Sequence, residues 1–365
     1  MINLRSIGSL LHGKINYELG IKTNSEFLIR EGVVLQKLTT LIQKIQERRI
    51  LVIGDMVADV YLKGMIGRIS REAPVLILDN VEEKIVAGGA ANVVANAAAL
   101  GGEVYAVGIL GDDSYAEGLK KILEYYEVHT EGLVTDRDRP TVSKTRVIAG
   151  GRATVSQQIV RIDRESRTPV SKKIEAELIS KIDRILPHVE GIVLSDYGSG
   201  TITEGVKKWL IRYAGQNKIP SIVDSRYDIG RFDGIGYIKQ NDTELANFVG
   251  HDLNDMASLI DAGAAIMKKL NANGALITRG EKGMSLFERG GAVHHIPVSD
   301  KSEVFDVSGA GDTCVAAFIL ALTAGINPVV AASMSNVAAG VAVRKQGTST
   351  VNFEELRKAL ENSRS

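Results

Sequence analysis

The 365-residue sequence predicts an α/β protein with a mainly parallel central sheet and a small second sheet. Short β-branched runs alternate with stretches of helical periodicity along most of the chain, which is typical of a parallel sheet covered by helices on both faces. Residues 60–83 and 140–163 break this alternation with strand-like segments that have polar faces. We expect these segments to form a separate sheet that acts as a lid and whose free edges can pair with another subunit.

The hydrophobic pattern also predicts the order of the elements. Residues 1–31 are weakly periodic, whereas apolar residues at helical spacing over 34–45 predict an amphipathic helix. We therefore divide the chain into an N-terminal extension, 1–48, and a single domain, 49–362. Predicted strands of the main sheet lie at 49–55, 104–108, 191–196, 221–224 and 275–278. Predicted helices lie at 90–100, 115–126, 171–186, 205–216 and 257–270.

The composition argues against several classes of function. Lysine plus arginine equals aspartate plus glutamate at 44 each, so no net charge favours a nucleic acid or an anionic membrane. No apolar run reaches membrane-spanning length, and the N-terminus lacks the pattern of a secretory signal. Cys314 is the only cysteine, which excludes an internal disulfide and fits a reducing compartment. We therefore expect a cytoplasmic protein that binds neither nucleic acid nor membrane.

The stretch from Ser308 to Thr313 carries the clearest chemical signal, because two glycines precede an acid and an apolar helical run. Gly309 and Gly311 allow a ligand to approach the backbone closely. A helix that begins near Asp312 would direct unpaired N–H groups into this turn. The carboxylate could then take a proton from a hydroxyl while the N–H groups hold a phosphoryl group in transfer. The alternative is that Asp312 only caps the helix.

Two further groups lie near predicted strand ends in the first third of the chain. Asp55 and Asp59 follow the first strand, and the alternative to a binding role is that they are solvated turn residues. The run 87–92, Ala-Gly-Gly-Ala-Ala-Asn, predicts a small-residue turn that opens a helix. Asn92 can donate and accept hydrogen bonds there, but the same run would also suit a close contact between helix and sheet.

A fourth group, Asn241 and Glu244, lies on the first turn of a predicted helix after a strand. These side chains could hold a hydrated magnesium ion, or they could simply cap the helix. Neither glycine cluster of the chain is followed by the Lys-Ser/Thr of a Walker loop.

Together these groups resemble, in kind and order, the ribokinase (phosphofructokinase-B) family of sugar kinases from residue 49 to about 360. Residues 306–313, Asp-Val-Ser-Gly-Ala-Gly-Asp-Thr, resemble the C-terminal signature of that family. Residues 87–92 resemble its N-terminal glycine signature, and 241–244 its magnesium-associated Asn-x-x-Glu motif. The resemblance implies a ribokinase-like three-layer sandwich with a mainly parallel central sheet and a small β-sheet lid.

Within the family, the chain most resembles the D-glycero-D-manno-heptose-7-phosphate kinase domain of bacterial ADP-heptose synthesis. The segments that carry this likeness are 68–75, 88–93, 157–163, 194–197, 278–285 and 347–351. The resemblance implies phosphorylation of the anomeric hydroxyl of a heptose 7-phosphate to the 1,7-bisphosphate. The chain departs from that pattern at 224–226, Asp-Ser-Arg in place of Asp-Pro-Lys, and at Ser199 in place of a lysine. The nucleotidyltransferase domain of the bifunctional enzymes has no counterpart here, so we expect a separate enzyme to take the next step.

The family resemblance also assigns roles to individual residues. It implies that Asp312 is the catalytic base and that an anion hole is formed by the amides of Gly309, Ala310 and Gly311. The residues implied to bind the sugar are Asp59, Gly88, Gly89 and Asn92, and a phosphate on the sugar would contact Arg161 or Arg68. The residues implied to bind the nucleotide are Asn241, Thr278, Gly280, Gly283 and Asn336. Implied cofactors are ATP and Mg²⁺, the metal held by Asn241 and Glu244, with a monovalent cation as a further candidate. The implied assembly is a homodimer through the lid sheet.

Three other functions remain open on the sequence. A kinase of the same family could act on a free hexose or pentose, a nucleoside or another sugar phosphate. A non-catalytic sugar-binding regulator could retain the scaffold, although Asp312, Asn241 and Glu244 are all present. A dinucleotide-dependent oxidoreductase would suit the α/β pattern, but no dinucleotide fingerprint follows the first strand.

Overall fold

A computed structural model describes residues 40–150, 156–298 and 304–362. It contains a nine-stranded sheet between two layers of helices and a separate four-stranded sheet, which confirms the predicted fold class. Residues 1–39, and with them most of the predicted N-terminal extension, lie outside the described residues. Residues 40–43 are helical. Ile42 and Ile45 are buried in the main core, so the end of the extension packs against the domain.

The observed elements agree closely with those predicted for the main sheet. The strands are β1 Arg49–Gly54, β2 Met56–Ile69, β3 Leu76–Gly89, β4 Glu103–Leu110, β5 His129–Thr135, β6 Val142–Gly150, β7 Gln157–Arg164, β8 Gly191–Asp196, β9 Ser221–Ser225, β10 Tyr237–Asn241, β11 Gly274–Thr278, β12 Met284–Glu288 and β13 Val293–Ile296. The helices are α1 Ala90–Ala99, α2 Ser114–Tyr125, α3 Lys172–Ile185, α4 Glu204–Asn217, α5 Asp242–Val249, α6 Met256–Leu270, α7 Ala310–Thr323, α8 Pro328–Ala342 and α9 Phe353–Asn362. Each predicted main-sheet strand, and each helix predicted between residues 90 and 270, begins and ends within two residues of its observed counterpart.

The large sheet has the strand order β13-β12-β11-β10-β9-β8-β1-β4-β5. Its strands pair in parallel from β5 to β11, and only β12 and β13 at one edge are antiparallel. From β1 the chain first adds β4 and β5 on one side and later β8 on the other. The order therefore reverses beside β1, and in open α/β sheets ligands bind at such a switch point, beyond the carboxyl ends of the strands.

The central strands are apolar on both faces because helices cover both faces. Ile50 and Val52 of β1 belong to the core formed with α1, α7 and α8. The intervening Leu51 and Ile53 belong to the core formed with α3, α4 and α6. Among the helices of the described part of the chain, none combines the length and apolarity needed to cross a bilayer.

The small sheet, which we call the lid, has the order β3-β2-β6-β7. The prediction of short strands over 60–83 was wrong, because β2 and β3 are 14 residues each and form one long antiparallel hairpin with two register shifts. The predicted turn at 87–92 was also wrong. Gly88 and Gly89 are the last residues of β3, paired with Val57 and Met56. Gly89 has a φ of 54°, a conformation that suits glycine and that lets the strand continue directly into α1.

Candidate active site

The candidate site lies where the sheet order reverses, between the carboxyl ends of β1 and β8. Asp55 follows β1 and is buried. Its carboxylate accepts backbone N–H groups from the loop after β8, those of Tyr197 at 2.8 Å, Ser199 at 3.0 Å and Thr201 at 3.3 Å. Asp55 is therefore not a solvated turn residue. It fixes the loop that carries the Tyr197 side chain.

Asp312 lies at the centre of this site with 5% of its surface exposed. Its Oδ2 accepts a hydrogen bond from Asn92 Nδ2 at 2.8 Å, and its Oδ1 accepts one from the Tyr197 hydroxyl at 2.9 Å. Burial raises the pKa of Asp312 to about 6, although both hydrogen bonds act in the opposite direction. The carboxylate is thus ionised at neutral pH, and it is a stronger base than an exposed aspartate.

The helix α7 begins earlier than the sequence predicted. Ala310 is its first residue and Gly309 its N-cap, so Asp312 occupies the third helical position and is not the cap. The Ala310 amide donates to Val307 O at 3.3 Å. The amides of Gly309 and Gly311 have no hydrogen-bond partner among the described residues. These two amides can therefore donate hydrogen bonds to an anion next to the Asp312 carboxylate.

The surroundings of both glycines in this turn leave little room for a side chain. Gly309 has a φ of 80°, and a Cβ there would lie 2.6 Å from Asn92 Nδ2. A Cβ on Gly311 would lie 2.8 Å from Lys239 Nζ. Lys239 Nζ forms a buried ion pair with Asp224 Oδ2 at 2.7 Å. Burial opposes the charge of Lys239, but the neighbouring carboxylates raise its pKa above the usual range. The Lys239 ammonium group is therefore positively charged at neutral pH and lies next to the Gly309–Gly311 turn.

Asp59 connects the lid to the main domain. It lies on β2, is buried, and accepts hydrogen bonds from Arg146 Nη1 and Thr348 Oγ1, both at 2.8 Å. The Tyr61 hydroxyl, two residues along the same strand, accepts the Thr348 amide at 3.1 Å. A Cβ on Gly88 would lie 2.7 Å from Asp59 Cγ. Since Gly88, Asp59 and Thr348 are in contact, the lid is held next to the loop that follows α8.

Asn241 and Glu244 form a reciprocal capping box at the start of α5. Asn241 Oδ1 accepts the Glu244 amide at 2.7 Å, and Glu244 Oε2 accepts the Asn241 amide at 2.8 Å. The capping alternative raised by the sequence is therefore realised in the structure. Burial raises the pKa of Glu244, while the nearby Lys239 lowers it. The described contacts engage Oε2 and leave Oε1 available. Within the described part of the chain, no group of three or more His, Cys, Asp or Glu side chains has the geometry of a metal site.

Of the four other residues assigned to the nucleotide, three lie at the end of the sheet or in the loops beyond it, and Asn336 lies on α8. Thr278 ends β11 beside Asn241. Gly280 has a positive φ of 54° and open space around it. Gly283 has a structural requirement of its own, because a Cβ there would lie 2.1 Å from Ile296 O. Asn336 Nδ2 donates to Pro297 O at 2.7 Å.

The two arginines that the sequence suggested for a substrate phosphate both lie away from Asp312. Arg161 lies on the exposed strand β7 and forms a two-pronged ion pair with Asp163, with both N–O distances at 2.9 Å. Arg68 is nine residues beyond Asp59 on β2 and is exposed. At about 3.3 Å per residue, Arg68 lies roughly 30 Å along the strand from Asp59. Neither residue contacts Asp312 or its partners.

The model of the pfkB family of carbohydrate kinases matches residues 47–355. This chain belongs to the pfkB carbohydrate kinase family. The match covers both signature regions and every side chain described above as a partner of Asp312.

Curated relatives and solved structures agree with this family. The chain is 40% identical over 326 residues to the bifunctional protein HldE of Pelobacter propionicus, covering 89% of this chain and 66% of the relative. It is 41% identical over 307 residues to HldE of Geobacter metallireducens, covering 84% and 61% respectively. The chain thus spans about two thirds of the length of these relatives.

Solved structures show the same pfkB-family fold at lower identity. The structure of Arabidopsis thaliana ribokinase complexed with ribose and ATP matches with a TM-score of 0.67 at 20% identity, over 86% of this chain and 99% of that one. Escherichia coli phosphofructokinase-2 in complex with potassium matches with a TM-score of 0.68 at 18% identity, over 88% and 100%.

Sequence reasoning missed several residues of this pfkB-family site. Tyr197 belonged to a recognised segment, but nothing local indicated that its hydroxyl reaches Asp312. Arg146 could have been found from strand alternation, since its register partner Tyr61 lies two residues beyond Asp59 on the same face. Thr348 had no such signal, because it meets Asp59 across 289 positions of the chain.

Proposed function

We propose that the protein transfers the γ-phosphoryl group of ATP to the anomeric hydroxyl of a heptose 7-phosphate, giving the 1,7-bisphosphate. The observation that carries this proposal is the buried Asp312 carboxylate, held by Asn92 and Tyr197 beside the unpaired amides of Gly309 and Gly311. The family supports the class of reaction. The segments that resemble the heptose-7-phosphate kinase domain support the choice of sugar.

In the proposed reaction, Asp312 takes the proton of the acceptor hydroxyl. The hydroxyl oxygen forms a bond to the γ-phosphorus as the bond from that phosphorus to the bridging oxygen breaks, and the electron pair leaves with ADP. The Gly309 and Gly311 amides hold the phosphoryl oxygens, and the Lys239 charge beneath them favours the same anion. Phosphoryl transfer depends mainly on such positioning and charge stabilisation.

A magnesium ion fits this chemistry with few protein contacts. Mg²⁺ prefers oxygen ligands and often keeps most of its waters, so one or two carboxylates are sufficient. Glu244 Oε1 is available, and Asn241 orients that carboxylate through the capping box. Bound Mg²⁺ would neutralise charge on the nucleotide phosphates. Thr278, Gly280 and Asn336 are proposed for the nucleotide itself, and Gly283 for the backbone turn that supports them.

Sugar binding is assigned to the region between the lid and Asp312. Asp59 and Asn92 present buried oxygen and amide groups there, and the backbone of Gly88 and Gly89, which packs against Asp59 and Val57, is proposed to line the same region. The contacts of Thr348 with Asp59 and Tyr61 hold the lid over this region. Exclusion of water by the lid would limit hydrolysis of ATP.

We further propose that the protein acts in the cytoplasm as a homodimer. The lid is the proposed dimer interface. Strand β7 is exposed along its whole length and carries Ile159, Val160 and Ile162 with 41%, 47% and 51% of their surfaces exposed. Such an apolar edge strand is suited to cover or extend a second lid. Light scattering of Ile162→Glu beside the wild type tests this assignment. A dimer that persists in the variant, or a monomeric wild type, contradicts it.

An ADP-release screen tests the proposed reaction directly. The wild-type protein, ATP and Mg²⁺ are combined with sugar 7-, 6- and 1-phosphates and with the corresponding free sugars. We expect the highest kcat/KM with a heptose 7-phosphate and a product whose phosphorus spectrum shows a new anomeric phosphate. A higher kcat/KM for a free hexose, pentose or nucleoside would overturn the proposed substrate. Stoichiometric sugar binding without turnover would favour a sugar-binding regulator.

A further inference from the structure

Lys144 is a partly buried cation of the lid whose neighbouring acids are paired with arginines. It lies on β6 with Asp59 of β2 and Asp163 of β7 as its register partners. Both acids are already held by arginines, Asp59 by Arg146 at 2.8 Å and Asp163 by Arg161 at 2.9 Å. Lys144 itself forms no salt bridge within the described residues. Burial lowers the pKa of Lys144, and the nearby Asp59 and Asp163 offset only part of this effect.

Arg226 is a second cation near Lys144, and it lies exposed at the end of the main sheet. It follows β9, and its amide donates to Asp196 O at 3.0 Å. Arg226 therefore lies beside Tyr197, the residue after Asp196. It forms no salt bridge with any residue that the structure describes. Its charge is close enough to lower the pKa of Lys144 further.

These two cations flank the residue that holds the catalytic base. Lys144 Nζ lies 5.1 Å from the centroid of the Tyr197 ring, and the Tyr197 hydroxyl donates to Asp312 at 2.9 Å. Only the Tyr197 side chain therefore separates Lys144 from the carboxylate of Asp312. A sugar with its acceptor hydroxyl at Asp312 can place the far end of its carbon chain near Lys144.

We propose that Lys144 and Arg226 bind the phosphate that the sugar substrate already carries at the end opposite to its acceptor hydroxyl. This assignment rests on the proposed function and narrows the substrate to phosphorylated sugars of that shape. Two neighbouring cations repel each other, and a phosphate that contacts both of them removes this repulsion. Arg161 is less suited because Asp163 already satisfies it, and Arg68 is too far along β2.

The proposed subsite also explains why residues 224–226 can be Asp-Ser-Arg in place of the Asp-Pro-Lys of the subfamily. A planar guanidinium can contact two phosphate oxygens at once, which an ammonium group cannot do in the same plane. The phosphate would then be held by Arg226 from the main domain and by Lys144 from the lid. Substrate binding would thereby join the lid to the main domain.

Steady-state kinetics of Lys144→Gln and Arg226→Gln test the subsite, with Lys84→Gln as the matched control. Lys84 is an exposed lysine of the same lid, on β3 opposite Tyr61. Each test variant should raise the KM for heptose 7-phosphate about tenfold or more, the effect of losing a hydrogen bond to a charged group. The KM for ATP and for free heptose should stay within about twofold, and Arg226→Lys should recover part of the loss. The control should match the wild type.

Calorimetry separates binding from turnover. In an Asp312→Asn background, heptose 7-phosphate should bind about tenfold more weakly when Lys144→Gln is added. A raised KM for ATP instead, equal effects on phosphorylated and free heptose, or a larger effect of Arg161→Gln would overturn the subsite. If the wild type phosphorylates free heptose but not heptose 7-phosphate, the proposed function fails and the subsite fails with it. If the wild type uses heptose 7-phosphate and both variants behave as the wild type does, only the subsite fails.

Discussion

Replacing Tyr197 with phenylalanine tests how the protein sets the basicity of Asp312. In the wild type, burial raises the pKa of Asp312 to about 6, and the Tyr197 hydroxyl, donating at 2.9 Å, counteracts part of that rise. A hydrogen bond to a charged group contributes about 1.5–3 kcal/mol, and one pKa unit corresponds to about 1.4 kcal/mol. Because this bond favours the ionised form, its loss should raise the pKa of Asp312 by about one to two units.

The assay is the pH dependence of kcat/KM for the sugar, which reports ionisations of the free enzyme. ADP release is measured from pH 5 to pH 9. The base must be ionised, so wild-type kcat/KM should fall below pH 6 and reach about a tenth of its plateau at pH 5. In Tyr197→Phe the acidic limb should move to higher pH by about one to two units. Tyr213→Phe serves as the control, since the Tyr213 hydroxyl donates to Leu186 O at 3.2 Å, away from the site.

Two results would refute this reasoning. An acidic limb at the same pH in Tyr197→Phe and in the wild type would show that the hydroxyl does not act on the base. A wild-type profile that stays flat down to about pH 4.5 would show that Asp312 keeps the pKa of an exposed aspartate, near 3.9.

Three further predictions concern the surroundings of the base. Gly309→Ala should lower kcat about a hundredfold because its Cβ would meet a side-chain amide of the site; Gly215→Ala, with open space around it, should keep full activity, and similar rates for both variants would refute the requirement. Thr348→Val should raise the KM for the sugar about tenfold at constant KM for ATP, because it removes the 2.8 Å hydrogen bond to Asp59; an unchanged sugar KM would contradict this. Lys239→Met should lower the free energy of unfolding, measured in urea, by about 3 kcal/mol because it leaves the Asp224 carboxylate unpaired. A loss below about 1 kcal/mol would argue against a stabilising ion pair.

Much of the fold could be predicted because local signals agree with the tertiary structure. Buried strands such as β1 are apolar on both faces, and the helices between them have clear periodicity. The lid hairpin was less predictable. Gly64 and Gly67 lie inside β2, and register shifts occur between Lys63 and Met65 and between Ile66 and Arg68. Glycines and bulges interrupt the alternation of period two, so one long strand resembles several short ones.

The site could be predicted only where its residues lie in local motifs. Asp312, Asn92 and the glycine turn belong to recognisable stretches of sequence. Tyr197 is placed by Asp55, which accepts backbone N–H groups more than 140 positions away. Contacts of that range leave no local pattern, because they depend on which strands become neighbours. For the same reason, the sequence suggested Arg161 for the phosphate and gave no indication of Lys144.

Turnover and substrate binding of the Asp312→Asn variant test most directly whether Asp312 is the catalytic base. This change keeps the shape of the side chain and removes its ability to accept the proton. We predict that kcat falls by at least about a hundredfold, as is typical when a general base is lost. ATP and heptose 7-phosphate should bind within a few-fold of the wild type by calorimetry. A variant that retains more than about a tenth of the wild-type kcat would contradict the role of Asp312 as the base.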